Sequence, residues 1–235
     1  MTAPNIAMVP THVTRMRRGT RAATQRKLDA LLAAAAALIA ERGFEATSMR
    51  DLSRAMGVSL AGLYHYADSK EELLYKIQFR TFASLLSSQH EVAEQPGTPE
   101  ERLRRLVVGH LAFFTNHPNE LKVCTYELES LRGKRYRATE ELRRRYYRLM
   151  AGVLADLMGE PAGQHAESRA SRHTALYIFG MLNWIFMWYS ASRHGSIDKI
   201  GEEMLDLVLH GVRPQRAIRR APARSAATRG TSKRE

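Results

Sequence analysis

Residues 57–74 of the chain read GVSLAGLYHYADSKEELL. Gly57 is placed to end a preceding helix, because a glycine adopts the left-handed conformation that closes a helix at little cost. Ser59 can accept a backbone hydrogen bond at the start of the next helix, which is predicted over 60–66. The stretch therefore predicts two helices joined by a tight glycine turn.

Apolar residues recur at helical spacing on both sides of this turn. Helices are predicted over 28–42 and 49–56 before it, and over about 69–90 after it. Side chains that can cap the second to fourth helices are Thr47 or Ser48 (with Asp51 as the capping-box partner), Ser59, and Asp68 or Ser69. The second and third helices have the spacing of a helix-turn-helix.

Upstream of the turn, positions 43–52 read GFEATSMRDL. Together with 57–74, they resemble the N-terminal DNA-binding domain of the TetR/AcrR family of transcriptional regulators, over about residues 26–75. The glycine, threonine, Leu-Tyr, aromatic and Ser-Lys-Glu elements all stand in register. The resemblance implies a DNA-binding head and a C-terminal domain that dimerises and encloses a small-molecule pocket.

The third helix has the composition of a recognition helix. Small residues at its start allow its backbone to approach base edges in the major groove, and Tyr64 and His65 follow within reach of the flanking phosphates. Leu60 stands where the family frequently has a basic residue, so contact with a thymine methyl group is expected there instead. The residues expected to contact DNA are Thr47, Ser48, Arg50, Ser59, Leu60, Ala61, Gly62, Tyr64, His65 and Lys70.

Positive charge is concentrated at the two ends of the chain. The 235 residues include 36 Lys and Arg against 24 Asp and Glu, a net charge of +12. Residues 1–27 and 214–235 together account for all of this excess, so the body between them is neutral. Cationic arms of this kind usually lie beside polyanions, and the first is expected to reach double-stranded DNA through Arg17, Arg18 and Arg21. Solvated tails are the alternative.

Cysteine content and hydropathy exclude other classes of protein. Cys124 is the only cysteine, so neither an intramolecular disulfide nor a cysteine-clustered metal site can form, which favours a cytoplasmic setting. The most apolar stretch, Ala175 to Tyr189, is shorter than the ~20 residues of a membrane span. No contact with a membrane is expected.

Beyond the Pro96–Pro99 break the pattern stays helical, without the alternation typical of strands. The chain is predicted to be all-α, with about nine helices, the later ones over 99–115, 119–131, 135–158, 166–191 and 197–212. The predicted organisation is a basic flexible arm (1–25), a helix-turn-helix domain (26–90), a helical effector-binding and dimerisation domain (99–213), and a basic disordered tail (214–235).

The C-terminal half carries a run, Leu176 to Tyr189, that is apolar nearly all round a helix and therefore requires burial on both faces. One face is expected to meet a second copy of the chain in a homodimer. The residues predicted for this interface are Met181, Trp184, Trp188, Leu205 and Leu209.

The pocket implied by the resemblance is marked only by candidate lining residues: His110, Phe113, Phe114, Cys124, Tyr126, Glu127, Tyr146, Tyr147, Met150 and Asn183. Each of these is also a plausible core residue. Residues 126–131 and the Arg-rich segment 143–148 resemble the subset of TetR-type repressors that control fatty-acid or sterol-side-chain breakdown and respond to acyl-CoA thioesters. A drug-like or lipid effector is the alternative.

An enzyme is not expected, because the chain has no GxGxxG, P-loop, GxSxG or HExxH pattern. No catalytic residue, cofactor or metal ion is predicted. The predicted function is a dimeric repressor that binds a palindromic operator and is released by a hydrophobic effector. The alternative is an architectural protein that binds any duplex through its basic arms, with a steep dependence on salt.

Overall fold

The computed structural model describes residues 12–160 and 168–212, with side chains from Thr24 onward. These residues form ten α-helices and no strand, which confirms the all-α prediction. The helices are α1 (His12–Arg42), α2 (Met49–Ala55), α3 (Leu60–Tyr64), α4 (Lys70–Ala93), α5 (Pro99–Thr115), α6 (Pro118–Tyr126), α7 (Gly133–Leu157), α8 (Arg169–Asn183), α9 (Ala191–His194) and α10 (Ile197–His210). Within the described residues, no helix is long and apolar enough to cross a membrane.

Three predicted boundaries were wrong. The first helix begins at His12, inside the region expected to be a flexible arm. The helix predicted over 119–131 ends at Tyr126 and gives way to a 3₁₀ turn over Leu128–Ser130. The helix predicted over 166–191 ends at Asn183, because a 3₁₀ turn there carries Ile185 into the core, where its side chain is 4% exposed.

Predicted caps determine where the N-terminal helices begin. The Ser48 Oγ accepts from the backbone N–H of Asp51 at 3.2 Å, and the Asp51 carboxylate accepts from the N–H of Ser48 at 3.1 Å. The Ser48 hydroxyl also donates to the Asp51 carboxylate, and this bond, followed by the one from the Ser48 backbone N–H, holds the pKa of Asp51 below its ordinary value. Ser59 and Ser69 cap α3 and α4 in the same way. The capping box predicted at Ser48 is thus confirmed.

The helix-turn-helix packs on a core that is not purely N-terminal. Its centre is made by apolar residues of α1 to α4, among them Leu52, Leu63, Leu73 and Leu74, none of which is exposed. Val123, Leu128 and Leu131 belong to the same core, although they follow the Pro96–Pro99 break by more than twenty residues. Helix α6 and the segment after it therefore anchor the head to the rest of the chain.

A second core lies among α5, α7, α8 and α10. Leu85, Leu86 and Ala93 from the second half of α4 also belong to it, whereas the first half of α4 belongs to the core of the head. Since α4 is one continuous helix of 24 residues, it connects the two cores rigidly. The chain is divided in sequence at the Pro96–Pro99 break, but its packing is shared across that break.

Candidate DNA-binding surface and cavity

The turn between α2 and α3 has the geometry that its glycine and serine predict. Gly57 has a φ of 64°, and the backbone N–H of Val58 donates to Ser53 at 3.0 Å. The Ser59 Oγ accepts from the N–H of Gly62 at 3.0 Å, and a side chain at position 62 would place its Cβ 3.1 Å from that oxygen. A residue larger than glycine would therefore press on the cap of α3.

Most of the residues predicted to contact DNA lie on the surface of the head. Leu63 faces inward and is fully buried, which turns the opposite side of α3 outward. Tyr64 is 49% exposed, a large fraction for an aromatic side chain, whereas Leu60 and Gly62 are half-buried. The exposed members of the predicted set are Ser48, Arg50, Ser59, Ala61, Tyr64 and His65.

Two residues of the predicted DNA-contact set also bond within the chain. Thr47 is 2% exposed and its hydroxyl donates to the carbonyl of Gly43 at 2.7 Å, because it closes the turn after α1. The Lys70 ammonium donates to the carbonyls of Phe44 and Glu45 at 3.0 and 3.3 Å, and lies 4.4 Å from the centre of the Phe44 ring. Lys70 thus ties the start of α4 to the turn before α2.

The basic arm is described only in part. The backbone of α1 includes Arg17, Arg18 and Arg21, but their side chains lie outside the described residues, as do residues 1–11 and the tail from 213 to 235. The predicted DNA contacts of the N-terminal arm therefore stay predictions.

A cavity of about 520 Å³ lies among α4, α5, α6, α7 and α8. Its walls combine apolar and aromatic side chains with several polar and charged ones, and its size is typical of a small-molecule site. It is lined by Phe82, Leu85, His110, Phe114, Leu121, Cys124, Thr125, Glu140, Arg143, Arg144, Tyr146, Tyr147, Leu176, Phe179, Gly180, Asn183 and Trp184. Of the predicted lining residues, the cavity brings together His110, Phe114, Cys124, Tyr146, Tyr147 and Asn183.

Polar groups in the cavity wall are deeply buried. His110 is 1% exposed and Tyr146 is 4% exposed, and their side chains meet with 3.0 Å between the histidine Nδ1 and the phenol oxygen. Burial lowers the pKa of His110 to about 3, so its imidazole is neutral at physiological pH. The same desolvation raises the pKa of Tyr146 and of Cys124, which keeps the phenol and the thiol protonated.

The mouth of the cavity is cationic. Arg143 and Arg144 both line it and are exposed to solvent. The Arg144 Nε donates to Glu140 at 2.7 Å, whereas Arg143 lies over the ring of Phe82 and forms no ion pair among the described residues. The Arg-rich character of this segment was visible in the sequence, but which of its arginines face the cavity was not.

Four predicted lining residues lie elsewhere. Met150 is fully buried in the core, and Phe113 packs its ring on His117 at the far side of α5. Tyr126 is half exposed and packs against Phe186. Glu127 points towards the head, where its carboxylate accepts from the backbone N–H of Phe44 at 3.0 Å.

A continuous apolar face covers the outer side of α8 and α10. It is formed by Leu176, Tyr177, Met181, Trp184, Trp188, Met204 and Leu207. Tyr177 is 67% exposed and Leu176 is 56% exposed, which is unusual for side chains of this size. Leu176, Gly180 and Trp184 line both this face and the cavity, so α8 is the wall between them.

Two residues predicted for the interface are placed differently. Leu205 is 2% exposed and points into the core, because it lies on the side of α10 that packs against α5. Leu209 follows it one turn later and is partly buried against the same core. Met181, Trp184 and Trp188 do belong to the apolar face. In the described part of the chain, no group of three His, Cys, Asp or Glu side chains is arranged to hold a metal ion.

Comparison with known proteins identifies the family. Residues 31–77 match the family model of bacterial regulatory proteins of the tetR family, and residues 96–212 match the model of the tetracyclin repressor-like C-terminal domain. The crystal structure of the TetR family transcriptional regulator PfmR from Thermus thermophilus is 30% identical, covers 78% of this chain and 96% of its own, and superposes with a TM-score of 0.67. The chain belongs to the TetR family.

Two more distant relatives share this fold. The transcriptional repressor KstR2 of Mycobacterium tuberculosis, described as a ketosteroid transcriptional regulator, is 23% identical over 77% of this chain and 90% of its own, and its structure superposes with a TM-score of 0.67. AibR in complex with isovaleryl coenzyme A and operator DNA is 24% identical over 77% of this chain and 97% of its own, also with a TM-score of 0.67. The TetR family consists of transcriptional regulators, and the match over residues 31–77 places α2 and α3 in its DNA-binding helix-turn-helix domain.

Proposed function

We propose that this TetR-type regulator represses transcription as a homodimer on a palindromic operator, with α3 of each copy in the major groove. The exposure of Ser59, Ala61, Tyr64 and His65 on one side of α3 supports this assignment. Small side chains allow close approach to base edges, while Tyr64, His65 and Arg50 meet the phosphates. Two recognition helices on successive major grooves lie about 34–36 Å apart.

The homodimer is supported by the apolar face of α8 and α10. Large apolar side chains exposed in one contiguous patch mark an interaction site on a protein of this size. A two-fold axis beside α8 and α10 brings the same face of a second copy against it, and four helices then share one interface. In this arrangement residues 99–213 form the dimerisation and effector-binding unit, and residues 26–90 the DNA-binding unit.

For the effector we propose an acyl-CoA, with its acyl chain in the cavity and its phosphates at the mouth. The observation that carries this proposal is an apolar cavity whose opening bears Arg143 and Arg144, since CoA joins an apolar acyl group to a polyanionic nucleotide. Guanidinium groups bind phosphate oxygens through paired hydrogen bonds. The complex of AibR with isovaleryl coenzyme A is consistent with this chemistry.

Release of the operator follows from the packing of α4 and α6. Leu121, Cys124 and Thr125 of α6 line the cavity, and Phe82 and Leu85 of α4 line it from the other side. Both helices continue into contacts with the head, so a ligand that displaces them moves the two recognition helices apart. The effector needs to favour the spread state by only a few kcal/mol.

The test is fluorescence anisotropy on a labelled DNA fragment from upstream of the gene, in excess random competitor DNA. A specific regulator prefers its operator by ~10³-fold or more. If competitor DNA abolishes binding, the fragment does not contain a specific operator. If every other fragment tested also loses binding in competitor, the result favours an architectural protein that binds any duplex. Dodecanoyl-CoA, CoA alone and dodecanoic acid are then titrated into the complex, and only dodecanoyl-CoA is expected to release the DNA.

Arg143→Gln provides a sharper test of the cationic mouth. Loss of a charge-assisted hydrogen bond to phosphate is expected to raise the dodecanoyl-CoA concentration needed for release by about tenfold or more. Arg145→Gln is the matched control, because Arg145 is exposed on the same helix but does not line the cavity. Equal responses of the two variants would exclude a specific phosphate contact at Arg143.

A further inference from the structure

One residue of the cavity wall, His110, carries a buried polar atom without a hydrogen-bond partner. The Nε2 of His110 is inaccessible to solvent and makes no hydrogen bond within the described chain, while the Nδ1 of the same ring is 3.0 Å from the Tyr146 hydroxyl. The rings of Phe114 and Phe179 lie against the imidazole, so its surroundings are otherwise apolar. Leaving such a group unpaired costs about 1–3 kcal/mol, which is unusual in a protein interior.

Hydrogen-bond counting assigns the proton on this imidazole. The ring is neutral, so one nitrogen carries a hydrogen and the other accepts. If Nδ1 donated to Tyr146, both the phenol hydrogen and the Nε2 lone pair would be buried without a partner. If the Tyr146 hydroxyl donates to Nδ1, only the Nε2–H is left over. The second arrangement leaves one unsatisfied group instead of two and is the more stable.

We propose that the Nε2–H of His110 is the specificity determinant of the effector cavity: the effector displaces the aromatic rings that cover this nitrogen, and the N–H then donates to an acceptor oxygen in the buried part of the effector. The proposal rests on the effector site assigned above. An acceptor of this kind is a carbonyl oxygen, supplied either by the thioester itself or by a ketone on the acyl group. A plain hydrocarbon chain leaves the N–H unpaired and binds more weakly, since a polar site rejects ligands that cannot satisfy it.

The first half of the proposal is tested without any ligand. Nitrogen-15 NMR of selectively labelled histidine side chains distinguishes the Nε2–H from the Nδ1–H form of each ring, and the signal that His110→Phe removes belongs to His110. The expected result is a neutral imidazole with hydrogen on Nε2 across the range from pH 6 to 8. A hydrogen on Nδ1, or a ring that titrates in this range, overturns the proposal.

The second half is tested with two small probes of nearly the same shape. Acetophenone carries a carbonyl oxygen, and α-methylstyrene has a CH₂ group in the place of that oxygen. The ratio of their dissociation constants is measured in the wild-type protein and in His110→Phe. Replacing the histidine is expected to weaken the binding of acetophenone about fivefold or more relative to that of α-methylstyrene, which corresponds to the loss of one neutral hydrogen bond.

Two further variants make the result unambiguous. His110→Phe leaves the Tyr146 hydroxyl without a partner, so the probe ratio is also measured for the double variant His110→Phe with Tyr146→Phe. In that variant both hydrogen-bonding groups are replaced by apolar groups of similar shape, and the core stays intact. His117→Phe is the control, because His117 is on the same stretch of chain but does not line the cavity. An unchanged probe ratio in the double variant, or an equal change in the control, overturns the proposal.

Failure of this proposal is distinguishable from failure of the proposed function. If dodecanoyl-CoA releases the operator but the probe ratio is the same in all variants, the acyl-CoA effector stands and the role of His110 is wrong. If no acyl-CoA releases the operator but the probe ratio depends on His110, the donor stands and the effector belongs to another carbonyl-bearing class. Comparing dodecanoyl-CoA with its thioether S-dodecyl-CoA then shows whether the thioester supplies the oxygen.

Discussion

Replacing Glu127 is expected to loosen the head from the cavity. The carboxylate accepts from the backbone N–H of Phe44 at 3.0 Å through one oxygen and from the Ser130 hydroxyl at 2.9 Å through the other. Glu127 follows directly after α6, whose residues Leu121 and Cys124 line the cavity. It is therefore a direct connection between the wall of the cavity and the turn that follows α1.

The size of the effect follows from the hydrogen bonds that are lost. A hydrogen bond to a charged group contributes about 1.5–3 kcal/mol to stability. Leaving the buried N–H of Phe44 without a partner costs a similar amount, and the two figures describe the same loss, so they are not added. Glu127→Leu is therefore expected to lower the free energy of unfolding by about 2–3 kcal/mol. Glu127→Gln retains an acceptor oxygen but loses the charge, so it is expected to lower the free energy of unfolding by only about 1 kcal/mol.

The measurement is urea unfolding at one fixed protein concentration, since the stability of a dimer depends on concentration. Glu129→Leu is the control, because Glu129 is exposed two residues away. In the operator assay, Glu127→Leu is expected to bind DNA within about threefold of the wild type but to require more effector for release. If it unfolds at the same urea concentration as the control and releases DNA at the wild-type effector concentration, Glu127 does not connect the cavity to the head.

Three further substitutions test other parts of the structure. Ala61→Glu is expected to abolish operator binding without changing the melting temperature, because it adds a carboxylate to the exposed surface of α3. Anisotropy and thermal unfolding check this, and normal operator binding would refute the assignment of α3 as the recognition helix. Asp51→Asn is expected to lower stability near neutral pH but not in acid. The pKa of Asp51 is lowered in the folded state, so the carboxylate stabilises the fold above its ordinary pKa of 3.8, and this stabilisation is lost as the pH falls through the lower folded pKa. Unfolding curves of the variant and the wild type that stay apart at low pH would contradict this. Tyr177→Asp is expected to shift the protein from dimer to monomer in analytical ultracentrifugation, because it places a charge in the apolar face, whereas a dimer of unchanged affinity would move the interface elsewhere.

The short-range features of the fold could be predicted from residue types alone. Ser48 and Ser59 cap helices through bonds to residues three positions away, and the stop at Gly57 needs only that glycine's freedom at positive φ. The Pro96–Pro99 break likewise predicted the start of α5. Each of these features is decided by interactions within one turn of helix.

The roles of Lys70 and Glu127 could not be predicted, because their partners are distant in sequence. Lys70 was expected to be free for DNA and Glu127 to face the effector, whereas both bond to the turn around Phe44, from 26 and 83 residues away. The direction of α10 had the same difficulty: the apolar residues of its second half lie on most sides of the helix, and only packing against α5 turns Leu205 inward and leaves Leu207 exposed.

The thin wall between the cavity and the apolar face has a consequence for how the regulator responds to its own abundance. Leu176 of α8 and Trp184, which directly follows this helix, line both spaces, so in the proposed homodimer a second copy on one side and the effector on the other contact the same side chains. Thermodynamic reciprocity then requires that the ligand change the subunit affinity by the factor by which dimerisation changes the ligand affinity. The ligand concentration at half response therefore shifts with protein concentration. A cell that makes more of the repressor changes the ligand concentration to which the repressor responds.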